Sequence, residues 1–137
     1  MILVDAGPLV ALIHEDDVHH AVCKDSFAAM TEPLGTVWPV LTEAMYLLSF
    51  SWQAQIALWE MIESEAVEIL PLGNEDIGRM KELMRKYRDL PMDLADAALV
   101  RVGERERLRR VFTVDRRDFQ IYRPARIGRF IVLPSRL

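Results

Sequence analysis

Apolar runs and amphipathic stretches alternate along the chain. Met1-Ile2-Leu3-Val4 is apolar without alternation and stops at Asp5, the pattern of a strand covered on both faces. Thr36-Val37-Trp38, Val67-Glu68-Ile69-Leu70, Arg110-Val111-Phe112-Thr113-Val114 and Phe130-Ile131-Val132-Leu133 predict four more strands. Between them lie helical patterns. Leu9, Val10, Leu12 and Ile13 make a short apolar helix after Gly7-Pro8, and residues from about Val18 to Met30 make a second. Leu41, Met45, Leu48 and Trp52 recur at helical spacing behind Pro39, which a first helical turn accepts. A break near Ser49-Phe50-Ser51 separates that helix from another over Gln55 to Ile62. Asn74 reads as the N-cap of a helix to about Tyr87. Asp93 to about Glu106 forms the strongest helix, with Leu94, Ala98, Leu99 and Val102 on one stripe. Strands alternating with helices predict an α/β domain with a mostly parallel sheet.

Composition narrows this picture. With 137 residues the chain is read as one domain over 1–137. A hydrophobic share of 51% with 28% charged residues excludes a disordered chain. The lone Cys23 excludes an internal disulfide and reads as a small core residue in a reducing compartment. No apolar run approaches the roughly 20 residues of a membrane-spanning helix. The first basic residue is Lys24, so a basic secretory leader is not expected, and the expected location is the cytoplasm. The net charge of -4 hides a split: residues 1–78 carry 13 acids and one base, residues 79–137 carry 8 acids and 16 bases. That asymmetry suggests a charged partner without saying which.

Candidate chemistry sits at the strand ends. Val4-Asp5 and Val114-Asp115 both end an apolar strand in an acid, and open α/β sheets bind ligands at the carboxyl ends of their strands. Glu43 lies in the first turns of the helix after the second strand, within the otherwise apolar Val40-Leu41-Thr42-Glu43-Ala44-Met45. Asp93 and Asp96 share a face at the start of a helix, and Asp118 lies three residues beyond Asp115. Two like charges about 4 Å apart repel by roughly 4 kcal/mol at an effective dielectric near 20. A hard divalent cation removes that conflict, and all-oxygen ligands point to Mg²⁺, with Mn²⁺ as the alternative, rather than Zn²⁺. Metal-assisted hydrolysis of a phosphodiester is the matching reaction class. Each acid also has a purely structural reading: Asp93 as an N-cap, Asp5 as a cap of the Gly7-Pro8 turn, Asp118 as a turn residue.

These residues carry a resemblance. The runs from Ile2 to Leu12, Thr42-Glu43, Met92 to Val100 and Val111 to Phe119 resemble the PIN-domain ribonucleases of the VapC toxin type, in order, spacing and context. The resemblance covers essentially the whole chain and implies a three-layer PIN-like α/β domain. It implies Mg²⁺ ligands and catalytic acids at Asp5, Glu43, Asp96 and Asp115, with Asp93, Thr113 and Asp118 as auxiliary residues. It implies RNA cleavage, a cognate antitoxin and a homodimer, with no membrane. One departure is Ala6-Gly7 after the first acid, where many relatives carry a hydroxyl residue.

Arg116 and Arg117, between two of the acids, are expected to contact RNA phosphates; Arg105 and Arg107 are expected on a solvated face. Glu15/His19 and Asp16/His20 have helical i, i+4 spacing but no supporting zinc pattern. Trp38, Trp52 and Trp59 are expected in the core or at a dimer face. The competing function is a non-catalytic RNA-binding or protein-interaction module that keeps the fold. A receiver-like domain would want a Lys after a late strand, and none follows Lys86. A haloacid-dehalogenase-like phosphatase would want Asp or Thr where Gly7 stands.

Overall fold

The computed structural model describes residues 1–137. Five short strands form one parallel sheet: β1 (Ile2–Val4), β2 (Leu34–Thr36), β3 (Val67–Ile69), β4 (Arg110–Phe112) and β5 (Ile131–Leu133). Their spatial order is β3-β2-β1-β4-β5. Seven helices cover the faces: α1 (Ala6–Ile13), α2 (His20–Ala29), α3 (Trp38–Leu47), α4 (Trp52–Glu63), α5 (Ile77–Lys86), α6 (Leu94–Glu106) and α7 (Arg116–Ile121). A parallel sheet needs a crossover between paired strands, and helices on both faces explain why β1 and β4 are apolar throughout their buried lengths. The chain winds from β1 outward through β2 to β3, then returns to place β4 on the other side of β1. The switch point therefore lies between β1 and β4, where a doubly wound sheet opens a crevice at its carboxyl edge.

The core is contiguous, with Leu3, Val4, Leu9, Leu34, Leu99, Val111, Phe112 and Phe119 fully enclosed. Cys23 joins it, as expected. α6 is buried nearly all round, because Ala95, Ala97, Ala98 and Gly103 let α3, α5 and the sheet approach closely. No helix is long and apolar enough to cross a membrane.

Several expectations need correction. The second strand is Leu34–Thr36 rather than 36–38, since Leu34 and Gly35 pair with both neighbours, Thr36 pairs with Ile69 of β3, and Trp38 already opens α3. The tryptophans are not core: Trp38, Trp52 and Trp59 are 54%, 66% and 39% exposed, on the outward sides of α3 and α4. Trp52 starts α4, capped by the Ser51 hydroxyl, which accepts from the Ala54 amide at 3.2 Å. Asn74 opens a single 3₁₀ turn instead of capping a long helix, and Asp76 bonds the Gly73 amide there at 2.9 Å. Asp76 is fully enclosed and holds Arg101 and Arg105, each at 2.7 Å. Arg105 is thus a tie between helices rather than part of a solvated face. α7 was not legible from the pattern, because six residues give little periodicity.

Candidate metal and nuclease site

The site is built at the carboxyl edge of the switch point. Asp5 follows β1, where its amide continues the sheet by bonding the Phe112 carbonyl at 3.0 Å. Its side chain is only 7% exposed and caps α1: Oδ1 accepts from the Ala6 amide at 2.9 Å. Oδ2 accepts from the Thr113 hydroxyl at 3.0 Å, and that Thr113 oxygen in turn accepts from the Asp115 amide at 2.9 Å. One threonine at the end of β4 thereby ties the first acid to the backbone of the last.

Asp96 arrives from α6. Asp93 is the N-cap, its Oδ1 accepting from the Asp96 amide at 2.8 Å, so capping and the placement of Asp96 are one event. Asp96 is 7% exposed, and its Oδ2 accepts from the Tyr122 hydroxyl at 2.7 Å. Tyr122 is fully buried, with its ring edge-on to Tyr87 and Phe119. Sequence reasoning missed this residue, since nothing in its spacing links it to Asp96. The usable signal is general: a buried tyrosine hydroxyl finds a polar partner. Asp115 and Asp118, one turn apart at the start of α7, complete the cluster. One carboxylate oxygen each from Asp96, Asp115 and Asp118 lie within 4.8 Å of one another.

The carboxyl groups feel each other. Burial, reinforced by the charges of Glu43 and Asp115, outweighs the two hydrogen bonds of Asp5 and pushes it up to about 6. Burial and then the charge of Asp5 push Asp96 up to about 8, although the Tyr122 bond opposes the rise. Glu43 is raised by burial and by Asp93 and Asp115. Asp115 is raised by burial, then by Asp118. Each raised group feels acids from other segments: Asp5 feels Glu43 and Asp115, Asp96 feels Asp5, Asp93 and Asp115, and Asp115 feels Asp118 and Asp93. Acids gathered this way are the signature of a cation or proton site. The donor set is all oxygen, which suits a hard divalent ion; at Mg–O distances of about 2.1 Å, ligand oxygens across such an ion lie roughly 4 Å apart.

Two flanking features follow. Arg116 donates from Nη1 to the Pro134 carbonyl, which ties it to the segment after β5, while Arg117 is exposed. Beside the acids, a cavity of about 640 Å³ runs between Trp38, Pro39, Tyr46 and Leu94, with Glu43 and Asp93 in its wall. The His14 to His20 segment lies outside this cluster: His20 Nδ1 meets the Ala11 carbonyl at 2.6 Å, and Asp17 caps the His19 amide at 2.8 Å.

Comparison with known proteins agrees with this fold. Ribonuclease VapC26 of Mycobacterium tuberculosis is 29% identical over 134 residues, spanning 96% of this chain and 99% of that protein. The crystal structure of Mycobacterium tuberculosis VapC20, a Sarcin-Ricin loop cleaving toxin, superposes with a TM-score of 0.76 at 21% identity, covering 84% of this chain and 92% of that one. VapBC2 from Rickettsia felis, solved bound to a DNA fragment from its promoter, gives a TM-score of 0.63 at 15% identity, covering 96% of this chain and 97% of that one. The PIN domain model matches residues 2–125, and the chain belongs to the PIN domain family.

Proposed function

We propose that this protein is a divalent-metal-dependent endoribonuclease that hydrolyses RNA phosphodiester bonds, acting as the toxin of a toxin–antitoxin pair. The observation that carries the reading is the convergence of Asp5, Glu43, Asp96, Asp115 and Asp118 at the switch point, with Asp5 and Asp96 held up near 6 and 8. Full-length similarity to a protein named ribonuclease VapC26 supports the substrate class. The solved VapBC2 assembly supports an antitoxin partner.

Asp5, Asp96 and Asp115 would hold the ion, with Asp118 close enough to share it and Glu43 reaching it directly or through water. When bound, Mg²⁺ or Mn²⁺ supplies charge neutralisation at the scissile phosphate and a water of lowered pKa. The chain's own groups do the rest. Thr113 orients Asp5, Tyr122 orients Asp96, and Asp93 fixes the helix that carries Asp96. Arg116 and Arg117 stand beside the acids, where guanidinium groups can take the phosphate backbone. The exposed Trp38, Tyr46 and Leu47 supply an apolar face for a second copy or the antitoxin. The lone buried Cys23 suits a cytoplasmic setting.

The test is cleavage of single-stranded and structured RNA by purified protein, with Mg²⁺ or Mn²⁺ and with chelator. Cleavage should require metal, and Asp96→Asn should reduce it by more than the roughly 10–100-fold typical of losing an outer partner of a metal ligand. RNA binding that persists with no metal-dependent cleavage would replace this reading with the non-catalytic module, and cleavage unchanged in Asp96→Asn would overturn the acid cluster as its metal site.

A further inference from the structure

A second charged feature lies at the far end of α6. A cleft of about 450 Å³ is walled by Arg79, Arg101, Arg105, Arg107 and Arg126, with Glu104 in its floor. The two buried acids there are already saturated. Asp76 accepts from Arg101 Nε, Arg105 Nη1 and the Gly73 amide. Glu104 accepts from Arg79 Nε and Nη2 and from the Ala125 amide. These bonds consume the carboxylates and pin the guanidinium groups, but they leave donors over. Both Nη nitrogens of Arg101 lack a protein partner, and the side chains of Arg107 and Arg126 make no ion pair or hydrogen bond. Glu82 and Glu106 stand near the rim, at 3.3 Å from Arg79 and 4.0 Å from Arg105, so five cations face four acids. The unpartnered share of that charge is concentrated on Arg101, Arg107 and Arg126.

Arg107 and Arg126 are also placed in an unusual way. Both have left-handed backbone, with φ of 57° and 72°, where glycine or asparagine is the ordinary choice. Arg107 ends α6 at its C-cap, whose carbonyl dipole favours cations and helps hold the group together. The result is a concave set of planar donors, three held by buried acids and two free at the rim, which matches a phosphate group better than a scattered basic surface does.

We propose that this cleft is a phosphate-binding exosite for the RNA strand, remote from the reacting bond. The inference rests on the nuclease reading of the acids. Asp96 opens α6 and Arg107 closes it, roughly 16 Å apart along the axis at 1.5 Å per residue. Because α6 is buried between them, a few nucleotides fill the acidic site alone, and only a strand long enough to pass round the buried helix reaches both.

The test uses the full chain with R107G/R126G, since glycine accepts the left-handed backbone and circular dichroism confirms the fold. K24A/K81A is the control of equal charge loss. With a 20-nucleotide RNA, the variant should raise KM about tenfold, and binding to the D96N form should lose about 1.4 from its log-salt slope. Cleavage of a tetranucleotide should stay at wild-type kcat/KM. An equal loss on the tetranucleotide, an equal loss in K24A/K81A, or no loss on the long RNA would overturn the exosite, the last leaving the nuclease reading intact. If no RNA is cleaved, that reading falls by itself, and the D96N binding arm still decides the cleft. Loss of binding to a polyglutamate peptide with unchanged RNA binding would overturn it in favour of an acidic protein partner.

Discussion

Tyr122 tests the site at the scale of one oxygen atom. Its hydroxyl gives Asp96 a buried hydrogen bond at 2.7 Å and counteracts the rise driven by burial and by Asp5. Tyr122→Phe keeps the ring packed against Tyr87 and Phe119 but strips that donor. The loss should cost roughly 1–3 kcal/mol of stability, the range for an unsatisfied buried acceptor. It should also push Asp96 above its present value of about 8. A metal ligand must be ionised, so the acidic limb of the rate–pH profile should move to higher pH. A profile that keeps its position while Tm drops would mean that the tyrosine acts by packing alone. Thr113→Val should move the profile in the same sense through Asp5, because that bond also lowers its partner.

At the level of elements, the start of α6 and the start of α1 carry opposite lessons. Asp93→Ala removes the cap that fixes Asp96 and should cost about 1 kcal/mol, whereas Asp93→Ser keeps a capping oxygen and most of the stability. Thermal melts of the two variants separate capping from charge. In α1, a Cβ on Gly7 would stand 2.4 Å from Val114 Cγ2, inside any tolerable contact. Gly7→Ala should therefore cost about 1–3 kcal/mol by overpacking against the strand end that carries Asp115. The close approach explains why glycine stands beside the first acid. These cases also show what a sequence can reveal. Strand-end acids are legible because an apolar run halted by Asp is a local signal, and the topology then brings Asp5 and Asp115 together. Asp96 is legible because a charge among alanines and leucines needs a reason. Tyr122 and Asp76 are not legible, since their meaning lies in partners 26 and 25–29 residues away. The two-residue error in β2 has a similar origin: Thr36-Val37-Trp38 has high strand propensity, but tertiary pairing selects Leu34–Thr36.

For the whole molecule, the acid cluster sets a stability that depends on pH in a direction opposite to most acidic proteins. An aspartate titrates near 3.9 in an unfolded chain, while Asp5 and Asp96 titrate near 6 and 8 in the metal-free fold. Between those limits the native state binds more protons than the unfolded state, so stability falls as pH rises. The decline begins above about pH 4, passes the Asp5 value near 6 and is complete above the Asp96 value near 8. At about 1.4 kcal/mol per unit, the Asp5 shift alone corresponds to about 3 kcal/mol. Metal-free protein should thus melt higher at pH 5 than at pH 8.5, and Asp96→Asn should flatten that slope and raise Tm at pH 8.5. Divalent metal should act in the opposite sense, because it binds only the ionised carboxylates and competes with protons for them. The Tm gain from Mg²⁺ or Mn²⁺ should be small at pH 5 and grow toward pH 8.5, with proton release on binding visible by calorimetry in buffers of different ionisation enthalpy. A metal-free Tm that rises with pH across this range, in a folded and monodisperse sample, would mean that the acids do not share one charge-crowded site.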